Sequence, residues 1–249
     1  MKIAIIGCGW LGFPLAKELL KNDHFVYGST TSINKFEVLK AASIKPFLYD
    51  GFENKKISVP INDIDCLIIS FPPSKSFDYP IQIEQLIQQF PETCKIIFTS
   101  STSVYEDFEG EIDETGPVKM DHPVFLAEEK LRNSGKLVTI LRLAGLYGDN
   151  RHPIKHLAGK TIENGNMAVN LVHQQDVIEA IELIIEKNAF CKTYNLCSYK
   201  HPKKGDYYIN AAEKFGVTAP IVNYSGLIGK MIDGGLITID LGFQYKNVI

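Results

Sequence analysis

The sequence has no surplus of basic charge: 26 lysines and arginines stand against 29 aspartates and glutamates, for a formal net charge of −3. That balance lacks the clustered basic face with which nucleic-acid-binding domains meet phosphate, and no block of like charges forms an interaction tail. Nor does any stretch approach the ~20 apolar residues a membrane span requires. The apolar N-terminus is broken by glycines and followed by Lys17, Glu18 and Lys21, unlike a signal peptide. The five cysteines (Cys8, Cys66, Cys94, Cys191 and Cys197) are odd in number and contain no C-x-x-C pair. They read as reduced thiols rather than a disulfide frame or a zinc site. The histidines have no cysteine or carboxylate partners at ligand spacing, so no metal is expected. Repeats and low-complexity linkers are also absent. A soluble cytoplasmic protein that handles a small molecule is expected, with no nucleic-acid or membrane partner; a homodimer is compatible with the sequence.

What is present is an ordinary globular composition, 45% hydrophobic and 22% charged over 249 residues. Short apolar runs at Ile3–Ile6, Phe25–Tyr27, Pro46–Tyr49, Cys66–Ile69, Lys95–Phe98 and Leu137–Leu141 alternate with helix-period segments. Those segments are Leu11–Lys21, Ile33–Ala42, Tyr79–Phe90 and Val124–Asn133, with apolar residues near i, i+3, i+4 spacing. The alternation predicts an α/β fold, a doubly wound parallel sheet whose strands are buried on both faces. The third run is followed by the loop-like Gly51–Pro60 rather than a clear helix. Beyond Arg142 the pattern changes to a Gly/Asn/His/Pro-rich loop, a helix at Asp176–Lys187, a last strand at Thr193–Leu196 and a helix at Asp206–Phe215. One folding unit is expected, with a nucleotide-binding core over 1–145 and 170–196. A small C-terminal substrate lobe over 146–169 and 197–249 would cover the sheet's ligand edge.

The stretch Gly7-Cys8-Gly9-Trp10-Leu11-Gly12 joins the first run to the first helix. In a G-x-G-x-x-G turn, Gly7 would permit the tight turn, Gly9 the approach of a pyrophosphate, and Gly12 close packing of helix on strand. Free N–H groups at the helix start would meet the phosphates. Flavin or S-adenosylmethionine sites use similar loops, so the glycines alone do not name the ligand. The end of the second run lacks the acidic residue that binds a ribose 2′-OH in NAD sites. Thr30, Thr31 and Ser32 stand there, with Lys35 beyond. These hydroxyls and the lysine suit a 2′-phosphate, which favours NADP over NAD; Thr31 and Ser32 are equally suited to capping the next helix. Ser70, Phe71 and Pro72 after the fourth run, and Leu143 after the sixth, are further cofactor-contact candidates. Cys8, near a helix N-terminus, reads as a redox thiol or, more simply, as a small buried filler.

Together with this loop, SFPPS (Ser70–Ser74), SSTSVYED (Ser100–Asp107), TILRLAGLYGDNRHP (Thr139–Pro153), NLVHQQD (Asn170–Asp176) and YNL (Tyr194–Leu196) recur in a set order. The chain thereby resembles the extended and atypical branches of the short-chain dehydrogenase/reductase superfamily, the NAD-dependent epimerase/dehydratase family. The resemblance implies a Rossmann sheet with NAD(P) across its C-terminal edge, and a serine that polarises the substrate oxygen, matched by Ser101. It also implies a Tyr-x-x-x-Lys pair on the next helix, in which the lysine lowers the phenol's pKa. Here Val124, Phe125 and Leu126 occupy that region. Tyr199–Lys203 matches the spacing but contains Pro202, which disfavours a helical face. The segment PVFLAEEK (Pro123–Lys130) resembles helix starts of atypical members that lack the tyrosine. Another acid would then serve, with Tyr105, His122 and Tyr147 as candidates. Tyr147 and Arg151 would contact substrate, in a patch with His152, Lys155, His156 and Lys160 that reads either as an anion clamp or as a solvated helix start. His173 and Asp176 match a structural pair, with Asp176 as a helix cap. Two functions follow: an oxidoreductase or epimerase-like enzyme on a polar, nucleotide-linked or phosphorylated small molecule, or a non-catalytic NADP(H) sensor.

Overall fold

The computed structural model describes residues 1–51, 57–74, 77–148 and 150–249. The chain runs β1 (Lys2–Ile6), α1 (Gly12–Lys21), β2 (Phe25–Thr30), α2 (Phe36–Ala41), β3 (Lys45–Leu48), β4 (Cys66–Ile69), α3 (Tyr79–Ile87) and β5 (Lys95–Ser101). It continues through β6 (Gly110–Ile112), α4 (Pro123–Arg132), β7 (Val138–Leu143), β8 (Gly145–Tyr147), α5 (Ile154–Leu157), β9 (Thr161–Ile162) and β10 (Leu171–His173). Last come α6 (Gln174–Glu186), β11 (Thr193–Leu196), α7 (Lys204–Phe215), β12 (Ile221–Val222), β13 (Lys230–Ile232) and α8 (Leu236–Leu241).

Seven strands form one parallel sheet in the order β11-β7-β5-β4-β1-β2-β3. The expected doubly wound class is therefore the observed one, because strands buried on both faces read as unbroken apolar runs: all four residues of β4 and all six of β7 are buried. The chain leaves β1 toward β2 on one side and reaches β4 on the other, so the strand order reverses between β1 and β4. In such sheets the ligand crevice opens at the carboxyl ends of the strands beside this switch point. The register pairs Ile6 with Ile69, which sets Gly7 beside Ser70.

The Gly51–Pro60 loop expectation falls in part on residues 52–56, outside the described residues. After it, a short 3-10 turn at Ile61–Asp63 leads into β4. α1 buries Gly12, Leu15, Ala16 and Leu19, one stripe at helical spacing. Its Pro14 sits in the first turn, where a missing N–H costs no intrahelical bond.

The chain divides into two compact units. The first comprises Met1–Val104, Lys119–Arg142 and Ile178–Thr193; the second comprises Tyr105–Val118, Leu143–Val177 and Tyr194–Ile249. The second unit has its own small core of Ile154, Ile162, Tyr208, Ala211 and Ala212, and three two-stranded pairs, β10-β8, β12-β9 and β13-β6. In this unit α7 ends at Gly216, left-handed at φ 61°, a conformation glycine adopts without a Cβ penalty.

Asp176 departs from expectation. α6 begins at Gln174, so Asp176 lies within the first turn and not at the cap. Its buried carboxylate accepts from the backbone N–H groups of Lys246 (3.1 Å) and Asn247 (3.2 Å) and from Asn247 Nδ2 (3.0 Å). It ties down the last residues of the second unit instead of starting a helix.

Among the described residues no helix is long and apolar enough to cross a membrane. None of the His, Cys, Asp and Glu side chains there gather into a group that could hold a metal ion.

Candidate functional site

The three glycines of the opening turn are required for different reasons. Gly7 has φ +96°, and a Cβ there would stand 2.4 Å from the Ser70 carbonyl oxygen. Gly12 is closed off as firmly, since a Cβ would meet the Gly7 carbonyl oxygen at 2.3 Å. Gly9 is different: a Cβ would find nothing within 4 Å. Packing inside the protein accounts for Gly7 and Gly12, whereas Gly9 faces open space. α1 starts at this turn with Leu11 as its N-cap and no side-chain cap bond. A helix start without a capping side chain suits a phosphate, which can accept from the first-turn N–H groups.

The turn opens into a cavity of about 190 Å³ in the first unit. Gly7, Cys8 and Gly9 line one side; Thr30, Thr31 and Lys35 come from the end of β2. Ser29 turns inward: its Oγ accepts from the Gly7 N–H at 2.8 Å, and its carbonyl accepts from the Cys8 N–H at 3.1 Å. The Thr30 hydroxyl is engaged locally with the Ser32 backbone. Thr31 and Lys35 are exposed and are the groups at this edge that can reach a ligand. Burial pushes the Cys8 thiol up to about 12, and a Cβ on Gly28 would meet the Cys8 sulfur at 3.0 Å. Desolvation of the thiolate thus favours the neutral thiol at Cys8, which is half-buried and lines the cavity.

At the end of β5, Ser101 Oγ accepts from the Ser103 N–H at 3.1 Å, which leaves its own proton available to a substrate oxygen. His122 is the N-cap of α4, and its Nδ1 accepts from the Val124 N–H at 3.2 Å. A neutral ring that accepts at Nδ1 carries its proton on Nε2. That nitrogen lies 3.4 Å from Ser103 Oγ. Beneath this surface the fully buried Glu128 receives Ser100 Oγ, Arg142 Nε (3.1 Å) and Nη2 (2.7 Å), and Arg132 Nη2 (2.9 Å). The network ties α4 to β5 and β7 directly under Ser101.

Residues 2–140 match the family model described as the NAD binding domain of 6-phosphogluconate dehydrogenase. The chain belongs to this NAD-binding family. It is also 36% identical to Protein YeeZ of Escherichia coli K12, over 98% of this chain and 96% of that protein. Two solved structures share the fold. UDP-glucuronic acid 4-epimerase from Bacillus cereus in complex with NAD has a TM-score of 0.79 at 19% identity, covering 99% of this chain and 92% of that one. A short-chain dehydrogenase/reductase superfamily protein from Agrobacterium tumefaciens with bound NAD has a TM-score of 0.80 at 14% identity, covering 100% and 93%. This NAD-binding family member therefore binds NAD(P), and the protein is oxidoreductase-like in build.

Trp10 is partly buried in the loop, Leu11 is buried behind it, and Ser70 and Phe71 continue β4, with Pro72 exposed beyond. Phe71 lines the cavity, and its carbonyl accepts from the Tyr79 hydroxyl at 2.8 Å. Leu143 is buried at the end of β7. Tyr105 must be corrected. It is fully buried, and its hydroxyl donates to Asn195 Oδ1 at 2.7 Å. A phenol whose proton is committed inside the core has none to offer a substrate. Tyr147 lies in the second unit with its ring against His173 and His152, and Arg151 is exposed in an isolated bridge with Gly148.

Four cavity residues carried no signal in the opening motif: Tyr49, Asp50, Gly51 and Gln82. They follow β3 or sit on α3, far from the glycines in sequence. The available hint was Asp-Gly directly after the third apolar run. Ser103 and Glu128 were equally hidden, one beside a more conspicuous serine and the other in a helix of mixed charge.

Proposed function

We propose that the protein is an NADP(H)-preferring, atypical extended short-chain dehydrogenase/reductase, epimerase/dehydratase-like, acting on a polar small molecule. The observation that carries this reading is the pairing at the end of β5: Ser101 with its acceptor side held by the Ser103 N–H, and His122 with its proton on Nε2 3.4 Å from Ser103 Oγ. When bound, the nicotinamide supplies or receives hydride. Ser101 then polarises the substrate oxygen with its free hydroxyl proton. His122 exchanges a proton at Nε2, through the exposed Ser103 hydroxyl or directly, and so replaces the missing tyrosine. Thr31 and Lys35 would donate to a 2′-phosphate. The second unit serves as the substrate lobe, with Tyr147 and Arg151 as its binding residues.

The sensor reading has one observation in its favour: Val124, Phe125 and Leu126 at the start of α4 carry no exchangeable side-chain proton. A single series separates the two. NADPH and NADH are titrated by quenching of Trp10, then a panel of carbonyl and nucleotide-sugar substrates is assayed for turnover. The enzyme reading expects NADPH to bind about tenfold tighter than NADH, a difference removed by Lys35→Ala. It also expects Ser101→Ala and His122→Ala each to cost about 10² or more in kcat. Tight binding without turnover on any substrate selects the sensor. Binding of neither nucleotide refutes both.

A further inference from the structure

Four residues of the nucleotide cavity belong neither to the glycine loop nor to the end of β2: Tyr49, Asp50 and Gly51 after β3, and Gln82 on α3. The sheet runs β1-β2-β3 in parallel, so the loops at the carboxyl ends of these strands follow one another along the crevice. Thr30 pairs with Leu48, and the Tyr49 N–H donates to the Thr30 carbonyl at 3.1 Å, which sets Tyr49 beside the Thr31 edge. The loop after β1 suits the phosphates and the end of β2 the adjoining ribose. What remains of that nucleotide half for the loop after β3 is the base.

These residues hold one another in place. The Tyr49 ring lies against Phe71 at 5.8 Å between centroids, and Phe71 meets Tyr79 edge-on at 5.5 Å. Burial pushes the Tyr49 phenol up to about 12, while a hydrogen bond with the Gln82 side chain draws it the other way. A bond that favours the phenolate is one in which the phenol oxygen accepts, so the Gln82 amide nitrogen is the donor. That contact leaves two groups over. The neutral phenol retains its own proton, and Gln82 retains its carbonyl oxygen Oε1 as an acceptor. Gln82 is only 9% exposed, on the face of α3 that also buries Tyr79, Ile83 and Leu86, where an amide needs partners. Gly51 makes room for it: the residue is left-handed at φ +76°, and a Cβ there would run into Gln82 Nε2. Asp50 lines the same cavity, but an ionised carboxylate only accepts.

We propose that Tyr49 and Gln82 read the purine base of the nucleotide cofactor, Tyr49 Oη donating to ring N1 and Gln82 Oε1 accepting from the exocyclic 6-amino group. A donor beside an acceptor complements the Watson–Crick edge of adenine, which offers an acceptor beside a donor. Hypoxanthine carries N1–H and O6 in those places and presents the reverse order. Donor would then face donor, and acceptor face acceptor, with the buried amide left unsatisfied. The inference needs only NAD(P) binding. It rests neither on the choice of NADP over NAD nor on turnover at Ser101 and His122, because it is read by binding alone.

The test is calorimetric titration of the full chain with NADPH, NADH and the hypoxanthine analogue of each, without substrate. The adenine forms are expected to bind about tenfold or more tighter than their hypoxanthine analogues. Gln82→Leu and Tyr49→Phe should each weaken the adenine forms and cut that ratio to about threefold or less. Gly51→Ala, which displaces the Gln82 amide without removing it, should lower the ratio as well. Circular dichroism checks that each variant folds. Should Gln82→Leu fail that check, Tyr49→Phe, which keeps its ring against Phe71, decides alone. Equal binding of adenine and hypoxanthine forms by the wild type overturns the proposal. So does a ratio that survives both variants, or one that Asp50→Ala alone removes.

Discussion

Replacing Gly9 or Gly12 with alanine adds the same methyl group to the same loop, yet the two substitutions should be read by opposite assays. The Gly12 Cβ would stand 2.3 Å from the Gly7 carbonyl oxygen and 3.1 Å from Ile5 Cγ2, with backbone on one side and a fully buried side chain on the other. Neither can yield cheaply, and overpacking of this kind costs about 1–3 kcal/mol. At this chain length that is about 2–4 °C per kcal/mol, so Gly12→Ala should lower Tm by roughly 2–12 °C. The Gly9 Cβ has nothing within 4 Å and its backbone is not left-handed. Gly9→Ala should hold Tm or raise it slightly, since the lost chain entropy of the unfolded state is worth about 0.4–1 kcal/mol. Its cost should appear in NADPH titration instead, as a tenfold or greater rise in Kd, about 1.4 kcal/mol or more. Thermal melts without cofactor and fluorescence titrations with it measure both. If Gly9→Ala melts as early as Gly12→Ala, or binds NADPH as wild type does, this reading of the loop is wrong.

Glu128→Gln leaves Arg142, only 3% exposed, without its counter-charge. The expected loss is about 3–5 kcal/mol, measured by urea unfolding, and the Glu128→Met/Arg142→Leu double variant should be more stable than the single. The Cys8 thiol, pushed up to about 12 by burial, should resist iodoacetamide at pH 8, while the exposed Cys191 reacts; mass spectrometry of the labelled peptides decides this. His152 is held below its ordinary value of 6.5 in the folded protein. Its contribution to stability is therefore complete above about pH 6.5 and falls as pH drops from there toward the folded value, because only the unfolded chain takes up the proton. The pH dependence of unfolding between 7 and 5 should flatten in His152→Gln; an unchanged slope would remove His152 as its source.

Much of the fold was legible from pattern. Ile3–Ile6 and Cys66–Ile69 read as buried parallel strands because both faces of such a strand need apolar residues, and the stripes of α1 and α4 were visible at helical spacing. The glycine loop was legible for a similar reason: turn, approach and packing each demand the absence of a Cβ at a fixed spacing, a local constraint that sequence records directly. The sequence also showed that the start of α4 carries no tyrosine, and that the end of β2 carries no acid.

Only the tertiary structure could separate Gly9 from Gly12, because what a Cβ would meet depends on Ser70, Gly7 and Ile5 brought together by the sheet. It moved Tyr105 from a candidate acid to a buried strut, since its partner Asn195 is 90 residues away. It turned Asp176 from a cap into a tether for Lys246 and Asn247. It also fixed the tautomers of His122 and His152, which depend on one backbone N–H two residues on in each case. Sequence by itself determined the elements and the cofactor turn, which rest on short-range sterics and periodicity. The bonds of Tyr105 and Asp176 and the close approach of Ser70 to Gly7 rest on contacts between residues distant in sequence, and those the folded chain alone decided.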